Sequence, residues 1–109
     1  MPRNSKYGAV PQMVDNLRFG SKREAGRYED LRLLQRIGKI EKLEAAKGNL
    51  RYDLAVNGIL ICRYEADFRY FDLEAGKWVI EDSKGFKTPA YRIKRKLMKA
   101  CHDIEIQEV

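Results

Sequence analysis

The chain has 109 residues, 44% hydrophobic and 35% charged, which is one small domain with a single core and no room for a second globular unit. That balance, with six Tyr and four Phe, excludes a disordered chain, and no apolar run approaches the roughly 18 residues of a membrane span. Twenty-two Lys and Arg against sixteen Asp and Glu leave a formal net charge of +6 and a pI near 9.4, which favours encounter with a polyanion such as nucleic acid.

Residues 1 to 20 carry Pro2, Gly8, Pro11 and Gly20 among basic and polar residues, with Val10, Val14, Leu17 and Phe19 as apolar anchors. They read as a basic N-terminal arm with a short strand near Leu17 to Phe19, or more plainly as a frayed terminus. Residues 21–109 make the domain proper. Ser21-Lys-Arg-Glu24 fits the S-x-x-E capping box, so a helix starts there. Tyr28, Leu31, Leu34 and Ile37 follow at helical spacing, Arg27, Asp30, Arg32 and Arg36 occupy the wet side, and Gly38 ends the helix. Glu24, one turn before Tyr28, lies at the end of the apolar face and is expected to look inward.

Lys39 to Ala46 alternates without a clean apolar face and is read as a short strand. After a Gly48-Asn49 turn signal, Leu50, Tyr52, Leu54 and Val56 alternate with Arg51, Asp53 and Ala55 in a half-buried strand pattern. Asn57-Gly58 is a strong hairpin signal, and Ile59 to Tyr64 returns as the partner. That strand is expected to continue through Asp67 to Tyr70, turn between Leu73 and Lys77, and come back as Trp78 to Lys84, where Gly85 breaks it. Thr88-Pro89 opens a second helix with Tyr91, Ile93, Leu97, Met98 and Cys101 on its buried side. Ile104 and Ile106 alternate with Glu105 and Gln107 as a last short strand, giving the order α-β-β-β-β-α-β.

Cys62 and Cys101 are isolated in apolar surroundings, so neither a disulfide framework nor a zinc cluster is supported, and both read as small core hydrophobes of a reducing cytosol. The Met-Pro-Arg-Asn start has no signal-peptide apolar region, and the expected location is cytoplasmic.

Residues two apart on a strand share a face, so Ile80, Asp82 and Lys84 are expected to point one way and Glu81 and Ser83 the other. Pairing through the Leu73–Lys77 turn brings Asp67 across the ladder toward Asp82. Two carboxylates at a strand bend make a hard oxygen site suited to Mg²⁺ or Mn²⁺, beside which a lysine orients or deprotonates a water. The bland alternative is a set of surface charges with a cross-strand salt bridge worth roughly 0.2–1 kcal/mol. Position argues against it, because Asp is disfavoured in strands, yet Asp67 directly follows Ala66 and Asp82 shares its face with the apolar Ile80.

Ala66-Asp67 followed by Asp82-Ser-Lys84-Gly85 resembles the signature of the PD-(D/E)XK nuclease superfamily. More narrowly, Phe19-Gly-Ser-Lys-Arg-Glu24-Ala, Tyr64-Glu-Ala-Asp67-Phe, Glu81-Asp-Ser-Lys84-Gly and Thr88-Pro-Ala-Tyr-Arg-Ile-Lys resemble DUF1064, a family of small phage and prophage proteins grouped with phage endonuclease I, a Holliday-junction-cleaving enzyme. The resemblance covers nearly the whole chain. It implies an α/β (α+β) domain with a restriction-endonuclease-like core, a mixed central sheet flanked by helices. It also implies a metal-dependent endodeoxyribonuclease of phage DNA metabolism, acting on duplex or branched DNA in the host cytoplasm. Carried over, it makes Asp67 and Asp82 the ligands of Mg²⁺ or Mn²⁺, Lys84 the water-orienting or charge-stabilising cation, and Glu24 a further acidic ligand or, alternatively, a helix cap. Ala66 stands where the name-giving Pro is expected, Asp82 where Glu is commoner, and Ala46 where the family pattern often has Gln. Two cuts at a junction would suit a homodimer.

Lys87, Arg92, Lys94, Arg95, Lys96 and Lys99 form a basic run beside the proposed site, read as contacts to flanking DNA phosphates or as a solvated helix face. Glu65 shares the face of Asp67 but reads as a solvated strand charge, and His102, the single His, as a structural residue at a helix C-terminus. There is no Gly-rich phosphate loop, and Ser83 has no neighbouring His, so nucleotide hydrolysis and Ser nucleophilic catalysis lack support. The competing function is a non-catalytic DNA-binding module or an adaptor for a phage replication or recombination protein.

Overall fold

The structure, a computed structural model, describes residues 11–45, 50–83 and 86–109; Lys84, Gly85, Ala46, the Gly48-Asn49 turn signal and residues 1–10 lie outside the described residues. Strands β1 (Gln12–Val14) and β2 (Leu17–Phe19) pair antiparallel through Asp15 and Asn16, both at positive φ, which these short polar residues tolerate. Phe19 is buried and its ring lies 4.9 Å from that of Tyr28, while Asp15 accepts the Tyr28 hydroxyl at 3.1 Å and pairs with Arg32. Residues 12–19, read from the sequence as the end of an arm, are therefore a hairpin fastened to the first helix. The cause is apolar: Val14, Leu17 and Phe19 are removed from water only by packing there.

Helix α1 (Lys22–Arg36) begins as expected, with the Ser21 hydroxyl accepting the Glu24 N–H at 3.2 Å. It ends at Gly38, whose φ of 81° lets the Lys39 N–H turn back to the Leu34 carbonyl at 2.9 Å. Ile37, placed on the apolar side by spacing, is instead the exposed C-cap. Strand β3 (Ile40–Glu44) shifts register between Glu41 and Glu44, with Lys42 at φ 57°. This bulge explains why its residues show no clean alternation.

Strands β4 (Arg51–Val56) and β5 (Ile59–Glu65) form the hairpin signalled by Asn57-Gly58, both at positive φ as a tight primed turn requires. The chain then bends at Ala66-Asp67 and enters β6 (Phe68–Asp72), so the expected single strand from Ile59 to Tyr70 is divided between two sheets. β6 pairs with β3 and with β7 (Lys77–Asp82), helix α2 (Pro89–His102) follows its Thr88 cap, and β8 (Gln107–Glu108) runs parallel to β7. The sheet order β3-β6-β7-β8 is mixed, and the architecture is α+β.

Strand parity separates two apolar clusters. Phe68, Tyr70 and Val79 pack with Phe19, Tyr28 and Leu31 beneath α1. On the other side Ile80 packs with Leu54, Tyr64, Tyr91 and Met98, from the β4–β5 hairpin and α2. Cys62 and Cys101 are free thiols packed against this second cluster. Neither helix among the described residues is long and apolar enough to cross a membrane.

Candidate functional site

The two faces of β7 end in two acids with different surroundings. Glu81, facing α1 with Val79, has no solvent exposure and accepts Arg27 through both oxygens, at 2.9 and 2.7 Å, and the Tyr70 hydroxyl. Burial would penalise a lone carboxylate, and this fork of donors compensates it; Glu81 in turn raises the Arg27 pKa. Arg27, assigned to the wet side by helical spacing, is half-buried because Glu81 draws it under the helix.

Asp82, one residue on, faces the other side and is 1% exposed. Its Oδ2 accepts the Tyr64 hydroxyl from β5. Burial, then this bond to Asp82, raises the Tyr64 pKa, so the phenol stays protonated as a donor. Tyr91 stands nearby in the first turn of α2, its ring 6.4 Å from Tyr64, and burial, then a bond to Glu108 and the Asp82 charge, raise its own pKa.

Asp67 occupies the bend before β6. Its N–H donates to the Glu81 carbonyl at 3.1 Å, and its Oδ2 accepts the Ser83 N–H at 2.8 Å, so the register set by Phe68 opposite Glu81 carries Asp67 to the end of β7. Burial first, then the charges of Asp82 and Glu24, push the Asp67 carboxyl up to about 8, with the Ser83 N–H opposing. Glu24 is buried in the first turn of α1, looking inward as its helical position dictates.

Glu24, Asp67 and Asp82 are thus one electrostatic group drawn from α1, the strand bend and the end of β7. They do not close into a cage: among the described residues no three or more His, Cys, Asp or Glu side chains are arranged to hold a metal ion. Mg²⁺ needs less, since it keeps several waters and is bound through one or two carboxylates. The oxygen-only pair of a half-buried Asp67 and a buried Asp82, side by side with the Glu24 charge acting on Asp67, fits such an ion. Lys84, the expected fourth member, lies outside the described residues.

The predicted basic run divides. Lys87 and Arg95 both pair with Glu108, each at 3.1 Å, and Lys99 pairs with Asp103 at 2.7 Å. Arg92, Lys94 and Lys96 have no ion-pair partner among the described residues, and Arg92 and Lys96 are exposed. Glu65 is a surface partner of Arg51 at 3.0 Å, and the His102 ring contacts the Asp53 carbonyl at 2.7 Å. Sequence reasoning missed the Arg27–Glu81–Tyr70 cluster, the Tyr64 donor and Glu108. Only for Tyr64 was there a signal, its inward parity with Cys62 and Ala66.

Fold and site together define a small α+β protein whose mixed sheet delivers buried carboxylates to one end, between two helices. A family model described as "Protein of unknown function (DUF1064)" matches residues 4–107, and the chain belongs to that family. No curated protein matches the chain, and no solved structure does.

Proposed function

We propose that this chain is a Mg²⁺-dependent endodeoxyribonuclease, hydrolysing phosphodiester bonds in duplex or branched DNA during phage DNA metabolism in the host cytoplasm. The observation that carries the reading is the meeting of Asp67 and Asp82 at the end of β7, where the Ser83 N–H holds one carboxyl, the Tyr64 hydroxyl holds the other, and burial with the neighbouring charges raises the Asp67 pKa. Burying like charges together costs stability, and it is expected where a cation or a proton is to be handled. The sequence resemblance to the PD-(D/E)XK pattern supports the same assignment.

In this reading Asp67 and Asp82 hold the ion, which when bound supplies a Lewis acid for the scissile phosphate and its attacking water. Tyr64 fixes the Asp82 carboxylate by donating to Oδ2, and the Ser83 N–H fixes Asp67. Glu24 orients water at the margin of the site, and Lys84 offers positive charge to the phosphate. Arg92, Lys94 and Lys96 meet flanking phosphates, setting register without reading bases. A junction substrate needs two such sites, which a homodimer would provide.

Purified protein is expected to nick plasmid or junction DNA with Mg²⁺ or Mn²⁺, and Asp82→Ala and Lys84→Ala to abolish nicking while circular dichroism stays unchanged. Cleavage in EDTA, or cleavage indifferent to both substitutions, overturns the reading. Salt-dependent DNA binding without turnover would favour a non-catalytic DNA-binding module instead.

A further inference from the structure

On the α2 face of the sheet, at the opposite end of β7 from Asp82, an open cavity of about 690 Å³ is lined by Tyr52, Arg69, Lys77, Trp78 and Lys99, and also by the acids Asp103 and Glu105. We propose that this cleft binds an unpaired nucleotide of single-stranded DNA, with Trp78 as the stacking platform. The proposal rests on the reading of the chain as a DNA-acting protein, but not on catalysis.

Trp78 is 48% exposed on a strand whose next four residues are buried. Phe71 meets it edge-to-face at 5.5 Å, and the cations of Arg69 and Lys42 lie over its ring at 5.2 and 5.8 Å from the centroid. A half-exposed indole packed on a second ring, with Arg69 and Lys42 over it and Lys77 and Lys99 lining the same cleft, matches what sequence-tolerant single-strand binding uses. Bases stack on the aromatic face while Lys and Arg follow the phosphates. One terminal nitrogen of Arg69 bonds Glu44 at 2.8 Å, which fixes the guanidinium beside the indole.

The charges favour stacking over a simple anion site. Asp103 and Glu105 engage Lys99 at 2.7 and 3.9 Å, so the cleft is not uniformly positive. A duplex hides its base faces and would gain only the phosphate contacts. Trp78 and Asp82 share a face of β7 four residues apart, about 13 Å, with the buried Ile80 between them, so this cleft is separate from the carboxylates.

Trp78 is the chain's single Trp among six Tyr, so emission excited at the red edge, where only the indole absorbs, reports this cleft alone. The metal-free full chain, in EDTA, is titrated with an oligothymidylate of about 12 nucleotides, a matched duplex, thymidine monophosphate and inorganic phosphate. The oligothymidylate is expected to quench the emission to saturation and the duplex to do so weakly. Trp78→Phe should weaken binding of labelled oligothymidylate, read by anisotropy, about ten-fold. The inference is overturned if anisotropy shows binding while the emission stays still, if Trp78→Phe binds as before, if the oligothymidylate does not bind, or if duplex or phosphate alone quenches as strongly. Because metal is absent throughout, a chain that never cleaves DNA leaves a positive result standing. An active nuclease with a silent Trp78 removes this inference and leaves the other.

Discussion

Arg27 grips both carboxylate oxygens of Glu81, at 2.9 and 2.7 Å, and so ties α1 to β7 one residue before Asp82 and one helical turn after Glu24. The pair sets the spacing between acids that arrive on separate elements. Removing Arg27 leaves a fully buried carboxylate with only Tyr70 as a donor among the contacts described. Arg27→Met is expected to cost about 3 kcal/mol in urea unfolding, the lower end for a broken buried pair because Arg27 is partly exposed. The double variant Arg27→Met/Glu81→Leu should regain much of that loss. A single variant within about 1 kcal/mol of the parent would refute the clamp.

The raised Asp67 carboxyl makes a pH prediction with a definite sign. Between its unfolded value of 3.8 and the folded value of about 8, the native state binds more protons than the unfolded state. Stability therefore falls as pH rises through that window, and its favourable part is complete only below the unfolded value. Thermal melts of metal-free protein should give a lower midpoint at pH 8 than at pH 6, with Asp67→Asn flattening the slope. Mg²⁺ should raise the midpoint more at pH 8, where the carboxylate is available to it. A midpoint that climbs from pH 6 to pH 8 without metal contradicts the placement of Asp67.

Tyr64 holds Asp82 from a strand that belongs to another sheet. Tyr64→Phe keeps the ring packing and deletes one donor to a buried carboxylate, an expected loss of about 1–3 kcal/mol by denaturant titration. Asp82→Asn in the same background should make the second change nearly neutral, since the charge that needed the donor has gone. Additive losses would show that the two side chains act separately.

Arg92 and Lys96 are exposed and without ion-pair partners among the described residues, whereas Lys87 and Arg95 are committed to Glu108. Arg92→Ala/Lys96→Ala should lower DNA affinity uniformly across sequences and reduce the slope of log K against log salt by about 2. Lys87→Ala/Arg95→Ala should change it less. Equal slopes for both double variants would show that the ion pairs do not restrain those cations.

Much of the chain was legible in one dimension because the signals are local. Ser21 and Thr88 cap their helices, Gly38 ends the first, and Asn57-Gly58 closes a hairpin, each through contacts within a few residues. Strand parity alone separated Asp82 from Glu81, and pairing across a short turn brought Asp67 opposite the end of β7. Helical phase turned Glu24 inward.

What the tertiary structure decided concerns residues far apart in sequence. Arg27 looked solvated because its helical phase is polar; the buried Glu81, 54 positions away, makes its inward placement favourable. The continuous strand expected from Ile59 to Tyr70 bends at Asp67, since β5 pairs with β4 while β6 pairs with β3 and β7. Half of the basic run proved committed to Glu108, Asp103 and Glu105 at the end of the chain. Pattern and propensity report which face a residue prefers. Ion-pair choice and pKa depend on which charges meet after folding, and that is settled by packing across the sheet.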